Sequence, residues 1–218
     1  MTSEAHKYGS PYELGRLALI GEMLPFGPGR AMDIGCGTGE VSALLVAHGY
    51  RVTGIDVDEQ SLRAARQRVP AADFVRLDAL AEPLAADNFD VVTACEVLEH
   101  FDLDQQRSLL EKIRNVLRPG GHLLISTPNR RSLMSLVGNV VYPLRGRRWD
   151  YGDETHRHVH SAASLHSLLR STAFEVRRQR GFQLLLHRPS RLMAVGMRSF
   201  AGPVSGVCYD LVVDAQRA

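Results

Sequence analysis

Three stretches of this 218-residue chain carry residue types that could do chemistry. The first is Asp33-Ile34-Gly35-Cys36-Gly37-Thr38-Gly39, a glycine-rich turn behind a short apolar run. The second is Cys95-Glu96-Val97-Leu98-Glu99-His100, two carboxylates and an imidazole within five residues. The third is His156-Arg157-His158-Val159-His160, three imidazoles in alternation. Glycines let a backbone come within contact distance of a ligand. Carboxylates and imidazoles move protons near neutral pH or hold a cation.

The turn predicts a ligand cradle at the carboxyl end of a first parallel strand, against the N–H groups of the helix that follows. Its spacing is G-x-G-x-G, with Glu40 where a dinucleotide fingerprint needs a third glycine. Asp33, just before the turn, would repel a pyrophosphate and attract a sulfonium and an amino group. These details favour S-adenosylmethionine (SAM), with Asp33 near its methionine end and Gly35, Cys36, Gly37 and Gly39 shaping the turn. Asp56, about 20 residues further on at the end of a second strand, is placed to accept both ribose hydroxyls, with Val57 beside it.

If the stretch after the fourth strand is helical, Glu96, Glu99 and His100 share one face at i, i+3 and i+4. These two carboxylates and an imidazole could hold a divalent cation, with Mg²⁺ preferring the oxygens. Methyl transfer to a hydroxyl is helped by a base in hydrogen-bond reach, and histidine has the right pKa. His158 is the expected base and His100 the second candidate. His6, His48, His122, His166 and His187 are read as structural.

These groups need a scaffold, and the chain alternates to supply one. A helix is predicted over Tyr12 to Leu24, and strands over Ala31–Ile34, Arg51–Ile55, Phe74–Leu77, Phe89–Ala94 and His122–Ser126. Between them lie helical stripes such as Leu109, Leu110, Ile113, Val116 and Leu117, stopped by Pro119-Gly120-Gly121. Four strand–helix alternations predict a doubly wound, mostly parallel α/β sheet. Later come a helix capped by Ser161, a strand over Phe174–Arg180, and a last strand over Gly206–Val213. The pattern breaks between Arg130 and Asp150, where five arginines flank an apolar middle and no acid intervenes. That composition suits an interfacial helix on anionic lipid or a pocket for an amphiphilic acceptor. Residues 1–29 are expected to form an N-terminal helical cap, 130–160 an acceptor-side lid, and 189–205 a second insertion with a short helix. The whole, 1–218, is expected to be one domain.

Apolar residues make up 44% and charged residues 23%, ordinary for a globular protein. A net charge of +2 and the lack of an aromatic-studded basic groove give no reason to expect nucleic acid. Three cysteines without C-x-x-C spacing, and a start without a basic-then-apolar pattern, lead to the expectation of a reducing cytoplasm.

On Asp33–Gly39 and Asp56 the chain resembles the class I SAM-dependent methyltransferases. That resemblance implies a Rossmann-like, seven-stranded sheet whose last strand is antiparallel. It also implies that Asp78, with Ala79, faces the adenine, and that Glu96 lies at the floor of the acceptor pocket beside the donor. Glu96-Val97-Leu98-Glu99-His100, Thr127 to Gly138 and Arg148-Trp149-Asp150 further resemble the ubiquinone-biosynthesis O-methyltransferases, implying O-methylation of a small or lipidic acceptor. Glu96, Glu99, His100 and a downstream histidine, His158 or His160, also resemble the RNA 3′-terminal 2′-O-methyltransferases, which implies a metal held by two glutamates and two histidines. An N- or C-methyltransferase of a natural product or sugar would use a similar frame.

Overall fold

The computed structural model describes residues 11–84, 88–146, 149, 153–183 and 199–218. One eight-stranded sheet runs in the order β3-β2-β1-β4-β5-β8-β6-β7. Its strands are β1 (Gly29–Ile34), β2 (Tyr50–Asp56), β3 (Asp73–Arg76), β4 (Phe89–Cys95), β5 (Leu117–Pro128), β6 (Phe174–Phe182), β7 (Ser199–Phe200) and β8 (Asp210–Arg217). The neighbours from β3 to β5 pair in parallel, and β8 lies antiparallel between β5 and β6.

Helices cover both faces, because strands buried on both sides must be covered twice. Leu124 and Val212 pack under α1 (Pro11–Met23) and α2 (Glu40–Ala47), against Leu19, Ile20 and Leu45. Leu123 and Ile125, one step along the pleat, face the other way, toward α4 (Leu103–Val116) and α6 (Ala162–Ser171) through Leu109, Ile113 and Leu165. Between these, α3 (Glu59–Arg68) follows β2, capped by Asp58, which accepts from the Gln60 and Ser61 N–H groups. Asp102 and Gln105 form a capping box on α4, and Ser161 and Ser164 one on α6.

The sheet departs from the expected seven strands by one. Ser199–Phe200 adds a short antiparallel edge to Phe182 and Gly181, inside the stretch expected to be an insertion. The last strand begins at Asp210 rather than Gly206, because Gly202–Val207 coil into a 3-10 turn first. The helix expected near Leu192 to Met197 lies outside the described residues, as do residues 1–10, Arg147, Arg148, Asp150 and His187. No helix among the described residues is long and apolar enough to cross a membrane.

Between β5 and α6, α5 (Leu133–Val141) is amphipathic in reverse. It buries Ser135 and Gly138 and leaves Leu133, Leu136, Val137 and Val140 exposed, the last at 64%. The reversal has a local cause. A Cβ at Gly138 would lie 2.4 Å from the Trp149 ring, so the helix sits on that ring by its smallest residue. Ser132 caps it and bonds to Ser135.

Candidate functional site

The carboxyl ends of β1, β2, β4 and β5 meet at one edge, and the three chemical stretches converge there. Gly35, Gly37 and Gly39 all have positive φ, at 65°, 51° and 88°. Their surroundings differ. A Cβ at Gly35 would collide with Val97 at 2.6 Å, and one at Gly39 would crowd Ala65 at 3.2 Å, whereas one at Gly37 would meet nothing within 4 Å. Gly37 therefore lines open space, while the other two let packed chains pass. Its N–H donates to Asp56 Oδ2 at 2.9 Å, and the Asp58 N–H donates to Asp56 Oδ1 at 2.9 Å. Asp56 is thus held side-on at the end of β2. Val57 beside it is 57% exposed, an apolar face left open next to a carboxylate. Asp78 is exposed and accepts from the Leu80 and Ala81 N–H groups, turning the chain after β3.

This cradle fits an adenosyl donor: a carboxylate for two hydroxyls, an apolar side chain for a base, and a gap a methyl group would fill. Gly37, Asp56, Val57, Asp78 and Ala79 would hold it. Asp33 is placed differently from the expectation. It is 1% exposed and turned inward, accepting from Ser42 Oγ at 2.6 Å and Thr93 Oγ1 at 2.7 Å. Burial pushes its pKa up to about 6, against the pull of those hydroxyls. It braces the turn from beneath rather than meeting a ligand. Cys36 and Cys95 are raised by burial, Cys95 to about 12. Both thiols therefore stay protonated, which matters beside any alkylating donor, since only the thiolate is nucleophilic.

After β4 the chain does not continue as an α-helix. Glu96 takes a positive φ of 56°, and only Leu98–His100 coil, as a 3-10 turn. Glu96 and Glu99 therefore part. Glu96 accepts from Ser126 Oγ at 2.7 Å and pairs with Arg16 at 3.3 Å. Glu99 is fully buried, accepts from Thr127 Oγ1 at 3.2 Å, and has its other oxygen unpartnered. Burial first, then the Glu96 charge, pushes its carboxyl well above the usual range.

The proposed metal set Glu96, Glu99, His100 and His158 is corrected accordingly. Among the described residues the ligand atoms that gather within 4.8 Å belong to Glu99, His100 and His156. Two imidazoles and one carboxylate suit a transition metal, whereas Mg²⁺ takes oxygens, so this set does not fit Mg²⁺. His100 Nδ1 is also shared with the Thr155 hydroxyl at 2.8 Å.

The histidine stretch is tied to the same edge by backbone. The Arg157 and His158 N–H groups both donate to the Glu99 carbonyl, at 2.8 and 3.2 Å. Buried Gln106 of α4 completes the staple: its amide donates to the Leu98, Phe101 and His158 carbonyls, and its oxygen accepts from His160 Nε2 at 2.6 Å. His160 is structural, and burial lowers its pKa to about 4. The His158 ring stacks edge-on against it at 4.7 Å and has no hydrogen-bond partner among the described residues. Burial, then Arg130, lowers its pKa below the usual histidine value. Among the described residues neither ring nitrogen of His158 is hydrogen-bonded, whereas both of His160's are.

Sequence reasoning missed Tyr12, Arg16 and Asp210. The Tyr12 hydroxyl donates to Asp210, and Arg16 bridges Glu13 and Glu96 at 3.3 Å each. Two of these residues lie before the glycine turn and one opens the last strand, so no local pattern joins them. The one available signal is an acid, Asp210, at the head of an apolar strand.

A glycine turn open at Gly37 and a carboxylate clamped at the end of β2, on one parallel sheet edge, are what the nucleotide-fold methyl-transfer class would require. The methyltransferase domain model matches residues 12–179, and the chain belongs to that family. It is 35% identical over 133 residues to a ubiquinone biosynthesis O-methyltransferase of Marinobacter nauticus, covering 56% of this chain and 55% of that one. To the protein of the same name from Albidiferax ferrireducens it is 31% identical over 178 residues, covering 77% and 68%. The chain spans about half the length of most curated relatives it matches. Among solved structures, a SAM-dependent methyltransferase of Thermotoga maritima, described as a possible histamine N-methyltransferase, superposes with a TM-score of 0.71. That likeness covers 95% of this chain and 89% of the other at 22% identity, and it concerns the fold alone. The resemblance to class I methyltransferases is borne out at the level of family and fold.

Proposed function

We propose that this chain transfers the methyl group of SAM to an oxygen of a small or lipidic acceptor, with the neutral imidazole of His158 taking the proton. The observation that carries the donor half is the open space at Gly37 beside the clamped Asp56. The family match and the relatives' names support the same reading. SAM supplies an electrophilic methyl on a sulfonium. The chain holds the donor's sugar on Asp56, keeps nearby thiols protonated, and places a free imidazole at the acceptor edge through the Glu99 carbonyl. Positioning is the main contribution of such a site. The reversed α5 supports a lipidic acceptor: its apolar stripe, with Arg130 and Arg131 before it and no acid in the stretch, suits an anionic lipid surface. Transfer to an RNA 3′ end on a metal would need Glu96 among the ligands, and its ties to Arg16 and Ser126 weigh against that.

The test is methyl transfer from radiolabelled SAM to a lysate fractionated into lipid, RNA and small polar pools. Label in the lipid or small-molecule pool, as an alkali-stable ether, is the expected result. Label confined to the RNA pool, or no transfer by a chain that binds SAM, would sink the reading.

A further inference from the structure

Beneath α1, at the head of β8 and the ends of β5 and β6, several buried polar atoms lack a hydrogen-bond partner among the described residues. Asp210 pairs in register with Pro128 of β5 and Phe182 of β6, so it sits at the same edge as the donor cradle although β8 runs backwards. One of its oxygens takes the Tyr12 hydroxyl, and Oδ1 takes nothing. Gln183, one residue past Phe182 and 2% exposed, leaves Oε1 unpartnered. Glu99 Oε1, at the other side of the β5 end, is a third buried acceptor without a donor. Orphaned buried acceptors are costly, and three at one sheet edge beside a donor cradle need an explanation.

The charges are lopsided in the same sense. Among the described residues, Glu13, Glu96 and Asp210 share the cation Arg16, which pairs with Glu13 and Glu96. Burial, then the Glu96 charge, pushes the carboxyls of both Asp210 and Glu99 well above the ordinary range. Tyr12, Phe182 and Tyr209 wall it with rings, Tyr12 lying 5.7 Å from Phe182 and 6.5 Å from Tyr209. Open acceptors, surplus negative charge and aromatic faces together select a cation that donates hydrogen bonds.

We infer that the Tyr12–Asp210–Gln183–Glu99 neighbourhood is an anchor for a protonated amine carried by the acceptor. A protonated amine has no lone pair, so in this site it is held rather than methylated, and the methyl goes to another atom of the same molecule. The inference deepens the methyl-transfer reading and rests on it for the role of the bound amine. Binding releases a proton: the ammonium arrives charged, and the Asp210 carboxyl it meets ionises and gives its proton to solvent. The groups facing Asp210 in this step are Tyr12, Arg16, Glu96, Glu99 and Cys208.

Three phenols that differ only at the tail test it on the full chain by calorimetry, with and without S-adenosylhomocysteine (SAH): tyramine, its alcohol analogue tyrosol, and 3-(4-hydroxyphenyl)propanoate. Tyramine is expected to bind at least ten-fold tighter than the alcohol, with the carboxylate weakest and with proton release seen as a buffer-dependent heat. D210N, which keeps an oxygen for Tyr12, should cut the amine preference below three-fold. E99Q should narrow it too, which guards against a fold defect in the first variant. Equal binding of the three, no binding of any while SAH binds, or an amine preference that survives both variants overturns the anchor. An amine preference without SAH binding leaves the anchor standing and removes the methyl-transfer reading instead.

Discussion

Gly37→Ala separates the cost of a strained turn from the cost of a blocked ligand. The new Cβ meets no protein atom within 4 Å, so the fold pays only for a non-glycine residue at φ 51°. That is about 1–2 kcal/mol, which at this chain length lowers Tm by roughly 2–8 °C. The space the methyl enters is the space assigned to the donor, so the binding loss should exceed the folding loss. Losing about 2 kcal/mol of contact corresponds to a roughly 30-fold higher Kd for SAH. Gly35→Ala is the control. Its Cβ would lie 2.6 Å from Val97, adding an overpacking cost of about 1–3 kcal/mol to the same strain. It should therefore be the less stable of the two by thermal melting. Calorimetric titration of SAH into both, with melts alongside, checks the pair. If Gly37→Ala binds SAH as tightly as the parent, the donor does not lie against that turn and the cradle has been misread.

Other consequences follow from single groups. Asp33, raised to about 6 from an unfolded value near 3.9, makes the folded chain bind more protons than the unfolded one between those values. Its stabilising contribution is complete below about pH 4 and is lost as pH rises to about 6, by roughly 3 kcal/mol in all; urea titrations of D33N against the parent at pH 4.5 and 7 should show the variant gaining on the parent by that order. H158Q should lower kcat by about 10²-fold while SAH affinity holds, and because the His158 pKa is lowered, the parent's rate should fall only below the ordinary histidine value of about 6.5; an unchanged pH profile in the variant removes His158 as the base. L136E with V140E should abolish co-sedimentation with anionic vesicles and leave Tm within a degree or two, since both side chains are already exposed; persistent vesicle binding would show that α5 is not the contact.

Much of the glycine turn's geometry was readable because it is local. The glycines, the strand before them and the acid about 20 residues on are one continuous piece of chain, and each feature serves the same backbone turn. Asp33 was misplaced because its sequence position permits both directions; the pleat decided, setting its side chain between Ser42 and Thr93. The i, i+3, i+4 reading of Glu96, Glu99 and His100 failed for a related reason. A positive φ at Glu96 reverses the chain before any helix can start, sending one carboxylate to Arg16 and the other under Thr127. Gln106 drew no notice in its helix, yet it fastens the two chemical stretches together.

The sequence by itself determined the alternating parallel sheet, the glycine turn and the carboxylate that ends β2, because periodicity and turn chemistry act over a few residues. Only the tertiary structure decided what gathers across the edge at the head of β8. Antiparallel insertion of β8 between β5 and β6 brings Asp210 beside Tyr12, 198 residues away in the chain. Strand order creates that contact, and strand order is set by which faces can be buried together, a property no stretch of the chain carries alone.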